Sequence, residues 1–150
     1  FDIHRFEDGE YLTLGGVKIP FSKGLKAHSD GDVLVHSLID AILGAINAGD
    51  IGAHFPDDDV QYKNANSLDL LQNIYKLMSS KGYFLMNMDA TIILEKPKLS
   101  KYIDEMKENI AETLSCSKDI LSIKATTSEG IGFVGRQEGI ACLCSILLDK

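Results

Sequence analysis

Phe84-Leu85-Met86-Asn87-Met88-Asp89-Ala90-Thr91-Ile92-Ile93-Leu94-Glu95 reads as one long strand, because Ala90, Ile92 and Leu94 alternate with Asp89, Thr91 and Ile93 and so line opposite faces. Pro97 closes it. Downstream, Leu121-Ser122-Ile123-Lys124-Ala125-Thr126 is a second strand, and Gly139 to Leu148, rich in Ile, Leu and Cys, is a third. Between them Ile103, Met106, Ile110 and Leu114 fall at helical spacing. Upstream, Leu68, Leu71, Ile74, Tyr75 and Met78 mark a helix over about Ser67 to Ser80, with Gly82 as its stop. Gly31 to Ala48 reads as another helix. Leu14-Gly15-Gly16-Val17 predicts a hairpin turn joining Tyr11–Leu14 to Val17–Pro20. Lys23 to Gly31 is then a loop, and Asp50 to Asp59 an acidic loop broken by Gly and Pro.

Strands and helices are intermixed without a strict βαβ rhythm, which predicts an α+β fold, a mixed β-sheet with helices packed on one face. The helices are too few to cover both faces, so the other face calls for a partner subunit. The chain of 150 residues has no internal repeat, low-complexity tract or linker, and reads as a single domain over 1–150. Fifteen basic against 22 acidic residues give a formal charge of -7, which argues against broad binding to nucleic acid or an anionic membrane. No apolar run approaches the roughly 18 residues of a membrane span. Cys116, Cys142 and Cys144 have no zinc-finger spacing, and three cysteines make a poor disulfide framework, so buried inert thiols are the simpler reading.

Asp2 and His4 stand two apart in an extended run, so strand alternation turns both side chains to one face. On the Gly31–Ala48 helix, Asp32, His36, Asp40 and Asn47 share a stripe opposite Leu34, Leu38, Ile42, Ala45 and Ile46, which places His36 away from the apolar side. Two imidazoles and one carboxylate suit a tetrahedral zinc with an open fourth position, the pattern of a catalytic site. The plainer alternative is a solvated strand pair and a solvated helical histidine.

His28-Ser29-Asp30-Gly31-Asp32 sets a histidine, a hydroxyl and free backbone N–H groups at a helix start, a place for phosphate. The plainer reading is a cap by Ser29 or Asp30. Lys124-Ala125-Thr126-Thr127-Ser128-Glu129-Gly130 offers hydroxyls for phosphate oxygens and a carboxylate for a hard cation, or a capping box of Thr126 with Glu129. In the acidic loop, Asp50, Gly52 and Asp57 suit sugar hydroxyls or plain solvation.

Phe1-Asp2-Ile3-His4, Gly24-Leu25-Lys26-Ala27-His28-Ser29-Asp30-Gly31-Asp32-Val33, Gly49-Asp50-Ile51-Gly52, His54-Phe55-Pro56-Asp57, Lys124-Ala125-Thr126-Thr127 and Gly135-Arg136-Gln137-Glu138-Gly139-Ile140-Ala141 run in order along the chain. Together they closely resemble the 2-C-methyl-D-erythritol 2,4-cyclodiphosphate synthase family. The resemblance implies an enzyme of the non-mevalonate route to isoprenoids. Its reaction is metal-dependent intramolecular phosphoryl transfer, converting a cytidine-diphosphate-linked methylerythritol 2-phosphate into a cyclic diphosphate with release of CMP. It further implies Zn²⁺ on Asp2, His4 and His36 and a second cation, Mg²⁺ or Mn²⁺, on Glu129.

By the same resemblance the substrate contacts include Asp2, Ile3 and His4. His28 and Ser29 hold the 2-phosphate, Asp50, Ile51 and Gly52 meet the ribose, and Phe55, Pro56, Asp57, Asp58 and Asp59 form a neighbouring substrate loop. Leu94, Glu95, Lys96, Pro97, Lys98, Leu99 and Ser100 form the cytosine pocket, and Lys124, Ala125, Thr126, Thr127, Ser128 and Glu129 the diphosphate side, with His28 and Thr127 taken as catalytic. The family is a homotrimer whose sheets face the three-fold axis and whose active sites lie between subunits. Phe133, Arg136 and Glu138 match an axial cavity that can hold an isoprenoid diphosphate. Asp58, where a hydroxyl residue is usual, and Leu143, where some members carry an acid, depart from the pattern. The rival readings are a non-catalytic trimeric isoprenoid-diphosphate-binding module and a zinc hydrolase of a nucleoside diphosphate ester. A start at Phe1 without Met and a Lys/Asn/Ile-rich style lean toward a processed protein of the plastid interior, with bacterial cytoplasm as the alternative.

Overall fold

A computed structural model describes residues 1–56 and 58–150. Among these residues the strands are β1 (Asp2–Asp8), β2 (Tyr11–Leu14), β3 (Val17–Pro20), β4 (Lys23–Lys26), β5 (Phe84–Ile93), β6 (Leu121–Thr126) and β7 (Gly139–Asp149). Interleaved with them are α1 (Val33–Ala45), the single turn α2 (Ile51–His54), α3 (Ser67–Ser80), α4 (Ile103–Thr113) and the single turn α5 (Gly132–Gly135). Five strands form one sheet in the order β4-β1-β7-β5-β6, parallel only between β5 and β6, while β2 and β3 form the separate hairpin expected from Gly15-Gly16. The expected α+β arrangement, a mixed sheet with a helical layer, is what the chain adopts.

Register decides which side chains meet. Asp2 pairs with Cys142, and Cys142 in turn with Ile92, both buried under the helical layer. Asp2 and His4 therefore face α1, and Ile3 faces away. The far side of the sheet carries Ile3, Leu143 and Leu147, which are 45%, 54% and 58% exposed, large enough values to leave an apolar strip open to solvent. Leu38, Ile39, Ile42, Leu71 and Met78 fill the space between sheet, α1 and α3 with no exposed surface.

Lys23–Lys26 is not loop but the edge strand β4, pairing Arg5 with Lys26 and Phe6 with Leu25. A Lys-Gly-Leu-Lys tetrapeptide has almost no alternating pattern, so the strand owes its existence to pairing with β1, and its lysines suit a sheet edge. The first helix is also shorter than Gly31–Ala48. Asp32 precedes it as N-cap, accepting from the Val35 N–H at 3.1 Å, and Asn47 turns the chain left-handed at φ 51° beyond its end. His36, expected away from the apolar side of its helix, is buried and not solvated as the plainer alternative had it. Every residue from Val33 to Ile39 is buried, because α1 is a central helix packed by the sheet on one side and α3 on the other. Asp50 caps α2 by accepting from Ala53 N–H at 2.9 Å, and Asp59 caps a short turn at Val60–Tyr62.

Candidate metal centre and flanking cavities

β1 delivers Asp2 and His4, and α1 delivers His36, so that one donor atom from each lies within 4.8 Å of the others. His4 Nε2 is 3.0 Å from His36 Nδ1, while Asp2 Oδ2 is 2.9 Å from the first and 3.4 Å from the second. Despite that proximity, Asp2 Oδ2 is a buried oxygen that receives no properly directed hydrogen bond. Two ring nitrogens aimed at each other beside an orphaned carboxylate oxygen are poorly satisfied by one another and well satisfied by a divalent cation. Among the described residues no other trio of such groups converges.

The ring nitrogens facing outward are also held. His4 Nδ1 is 3.2 Å from the Lys26 carbonyl, which can only accept, so Nδ1 carries the proton and Nε2 presents its lone pair inward. Strand β4 is thus what orients this imidazole. His36 Nε2 lies 2.9 Å from Ser67 Oγ and 3.1 Å from Ser29 Oγ. Burial acts to raise the pKa of the Asp2 carboxyl, but the imidazoles of His36 and His4 outweigh it and hold the group below the usual carboxylate range. Burial acts to lower that of His4, and the Asp2 carboxylate and Lys26 carbonyl outweigh it and raise the value.

A metal bound at Nε2 must displace the second proton that His4 takes up in acid, so affinity falls as pH drops through its raised pKa. Zinc affinity measured by chelator competition between about pH 8 and 5.5, a range that brackets the ~6.5 of an ordinary imidazole, is expected to decline steadily. A pH-independent affinity would remove His4 from the donor set.

Around the centre lies a cavity of about 310 Å³ lined by Asp2, His4, Lys26, His28, Ser29, His36, Ile51, Gly52 and Phe55, with Tyr62 and Leu70 closing it. The fold thus gathers most of the residues singled out in the first half of the chain. His28 Nε2 reaches the Asp59 carbonyl at 3.3 Å. Asp50, Pro56, Asp58 and Asp59 do not line this cavity. Asp57 lies outside the described residues. Lys26, Tyr62 and Leu70 were not foreseen. Tyr62 is there because its ring stands edge-on to Phe55 with centroids 5.2 Å apart, a contact that spacing does not announce.

A second cavity, about 420 Å³, is lined by Leu94, Glu95, Pro97, Lys98, Leu99, Ser100, Ala125, Thr126 and Thr127, with Ile103 added. Lys96 is not among its walls. Glu95 organises the turn after β6, because its Oε1 accepts from Ser128 N–H at 3.0 Å, Ser128 Oγ at 2.8 Å and Gly130 N–H at 3.3 Å. No helix starts at Thr126, so the capping-box alternative is not realised. Instead Thr127 Oγ1 donates to Glu129 Oε1 at 3.1 Å, on a Glu129 backbone held left-handed at φ 54°. Lys124 sits on the open face of the sheet, ion-paired with Asp89. Arg136 donates twice to Glu138, at 2.8 and 3.2 Å, and Phe133 lies beside them on α5. Cys142 and Cys144 are buried and their thiols pushed up to about 11 and about 12, which fits inert packing. Among the described residues no helix is long and apolar enough to cross a membrane.

The family model described as the YgbB family matches residues 1–149. The chain is 52% identical over 150 residues to the 2-C-methyl-D-erythritol 2,4-cyclodiphosphate synthase of Geobacillus thermodenitrificans, covering 100% of this chain and 94% of that protein. It is 53% identical over 148 residues to the synthase of the same name from Acinetobacter baylyi, covering 99% and 91%. Among solved structures it resembles the bifunctional IspDF of Campylobacter jejuni, with TM-score 0.94 and 48% identity over 98% of this chain and 40% of that one. It also resembles the Plasmodium falciparum IspF in complex with CDP, with TM-score 0.85 and 37% identity over 98% and 90%.

Proposed function

This chain belongs to the YgbB family, and from that premise we propose that it acts as its curated relatives are named to act, as a 2-C-methyl-D-erythritol 2,4-cyclodiphosphate synthase. The reaction converts 4-diphosphocytidyl-2-C-methyl-D-erythritol 2-phosphate into the cyclic 2,4-diphosphate and CMP. Residues 1–150 act as one catalytic domain. The observation that carries the reading is the open donor set of Asp2, His4 and His36, with its orphaned oxygen, beside a cavity lined by His28 and Ser29.

Asp2, His4 and His36 hold a divalent metal, assigned as Zn²⁺ from two imidazoles and a carboxylate, and a bound metal there neutralises phosphate oxygens and makes phosphorus more electrophilic. His28 and Ser29 orient the 2-phosphate. One of its oxygens attacks the β-phosphorus of the diphosphate, the bond from that phosphorus to the bridging oxygen breaks, and CMP leaves with the electron pair. No water is consumed and no covalent enzyme intermediate is needed. Thr127 and its neighbours hold the diphosphate, and Glu129 holds a second cation, Mg²⁺ or Mn²⁺. Two phosphates of like charge react because they are fixed in line, and such enforced proximity contributes roughly 7–11 kcal/mol. The Leu94–Ser100 segment takes the cytosine in the second cavity, and Asp50, Ile51, Gly52 and the loop from Phe55 onward take the ribose side.

Within one chain the metal centre and the Thr126–Thr127 wall line different cavities. That separation, with the open apolar strip of Ile3, Leu143 and Leu147, supports a homotrimer whose sheets face the axis and whose site joins one subunit's metal centre to its neighbour's nucleotide cavity. Phe133, Arg136 and Glu138 then surround the axial cavity. Arg136 is already neutralised by Glu138, and Leu143 adds no polar group, so an isoprenoid diphosphate there has to compete with that ion pair. The curated relatives described above are bacterial, which favours a bacterial cytoplasm over the plastid interior expected from sequence style.

Incubation with the authentic substrate, followed by ³¹P NMR and nucleotide chromatography, tests the reading. Equimolar CMP and cyclic diphosphate are expected. Linear phosphates would mean a hydrolase, and no turnover a binding module.

A further inference from the structure

One ring nitrogen at the metal centre faces partners that do not by themselves decide where its proton sits. His36 Nε2 looks at two hydroxyls, Ser67 Oγ at 2.9 Å and Ser29 Oγ at 3.1 Å. A hydroxyl either donates or accepts. Were a serine to donate to Nε2, the imidazole proton would move to Nδ1 and point into the donor set, where a metal needs a lone pair.

Asp30 removes the ambiguity. Its Oδ1 accepts from Ser67 Oγ, and its Oδ2 accepts from Ser67 N–H at 3.0 Å. Asp30 is held in turn by the Asp32 N–H at 3.2 Å on Oδ1 and by its own N–H donating to the Ala65 carbonyl at 3.1 Å. Because Ser67 Oγ donates to Asp30 Oδ1, its single hydroxyl proton is committed there, and only lone pairs remain toward His36. Ser67 has no exposed surface, so no water competes for the hydroxyl.

Resting on the metal reading above, we infer that Asp30 and Ser67 are positioning residues for the metal centre, a carboxylate–hydroxyl–imidazole chain that fixes the proton of His36 on Nε2 and turns the Nδ1 lone pair toward Asp2 and His4. The same chain relieves Ser29 of donating to His36. Its hydroxyl proton is then free for a phosphate oxygen in the cavity they share.

The test uses the full chain with Asp30→Asn, Ser67→Ala and both changes. Asn is isosteric but offers an N–H₂ to Ser67 Oγ, which releases the serine proton toward His36. Zinc affinity by chelator competition is expected to fall about 10- to 100-fold in Asp30→Asn. ¹⁵N NMR of the histidine rings after zinc removal should show the His36 proton on Nε2 in the parent and shifting toward Nδ1 in the variant. In a Ser67→Ala background Asp30→Asn should change zinc affinity by less than about 2-fold, because Asp30 acts through Ser67. That comparison also serves if Asp30→Asn alone folds poorly. Unchanged affinity and an unchanged Nε2 proton in Asp30→Asn, or full losses that simply add, would overturn the inference. A parent chain that binds no zinc would instead overturn the metal reading beneath it.

Discussion

Replacing His36 by alanine is expected to remove metal and catalysis together. The imidazole is one of three donors, and the two left behind, Asp2 and His4, already lie 2.9 Å apart and would close on each other as an ion pair. Zinc content should drop from about one per chain to a small fraction of that, since two ligands do not complete a catalytic zinc site. Turnover should fall by about 10³-fold or more, equivalent to ~4 kcal/mol of lost transition-state stabilisation. The fold should survive, because alanine is the best helix former and α1 keeps its Leu34, Leu38 and Ile42 contacts. Metal analysis beside circular dichroism checks this, and full zinc occupancy in a folded His36→Ala chain would discard the ligand assignment.

Mixed trimers of the proposed shared-site ring are expected to regain activity that neither parent variant has. Each single variant, His36→Ala or Glu129→Gln, is expected to be nearly inactive at limiting Mg²⁺, since every site in its own trimer lacks one half. In a head-to-tail ring, a Glu129→Gln subunit lends its intact metal centre to the intact nucleotide cavity of a His36→Ala neighbour. Random assembly from equal amounts makes about a quarter of all sites whole, and any ring containing both variants has one whole site in roughly three. Co-expression with two affinity tags, purification through both, and comparison with each parent reads this directly. Recovery of that fraction of activity supports a shared site, whereas dually tagged rings no more active than their parents place all the chemistry in one subunit.

Much of this was legible where local chemistry and tertiary structure agree. The Ser67–Ser80 helix has the expected ends because Asn66 caps its start and Gly82 adopts φ 82° just past its last turn. The β6 strand Leu121–Thr126 and the Gly15-Gly16 hairpin were equally plain, since alternation and turn residues suffice. Strand β4 was illegible because nothing local forms it. The burial of His36 was not readable, because a helical wheel shows which side is less apolar, not whether another element covers it. At the site, Asp2 and His4 could be placed on one face from spacing alone. The outward partners could not, because Lys26 and Ser67 arrive from 22 and 31 residues away in sequence. The resemblance in turn pointed to Lys124 as a substrate contact, whereas within one chain that side chain is engaged with Asp89 on the open face.

An oxygen of the substrate's own 2-phosphate, and not water, is expected to attack the diphosphate at the proposed centre of Asp2, His4 and His36. Running the reaction in ¹⁸O-labelled water and reading the products by ³¹P NMR and mass spectrometry tests it most directly. Cyclic diphosphate and CMP free of ¹⁸O are the predicted result, and ¹⁸O on either product's phosphorus would contradict it.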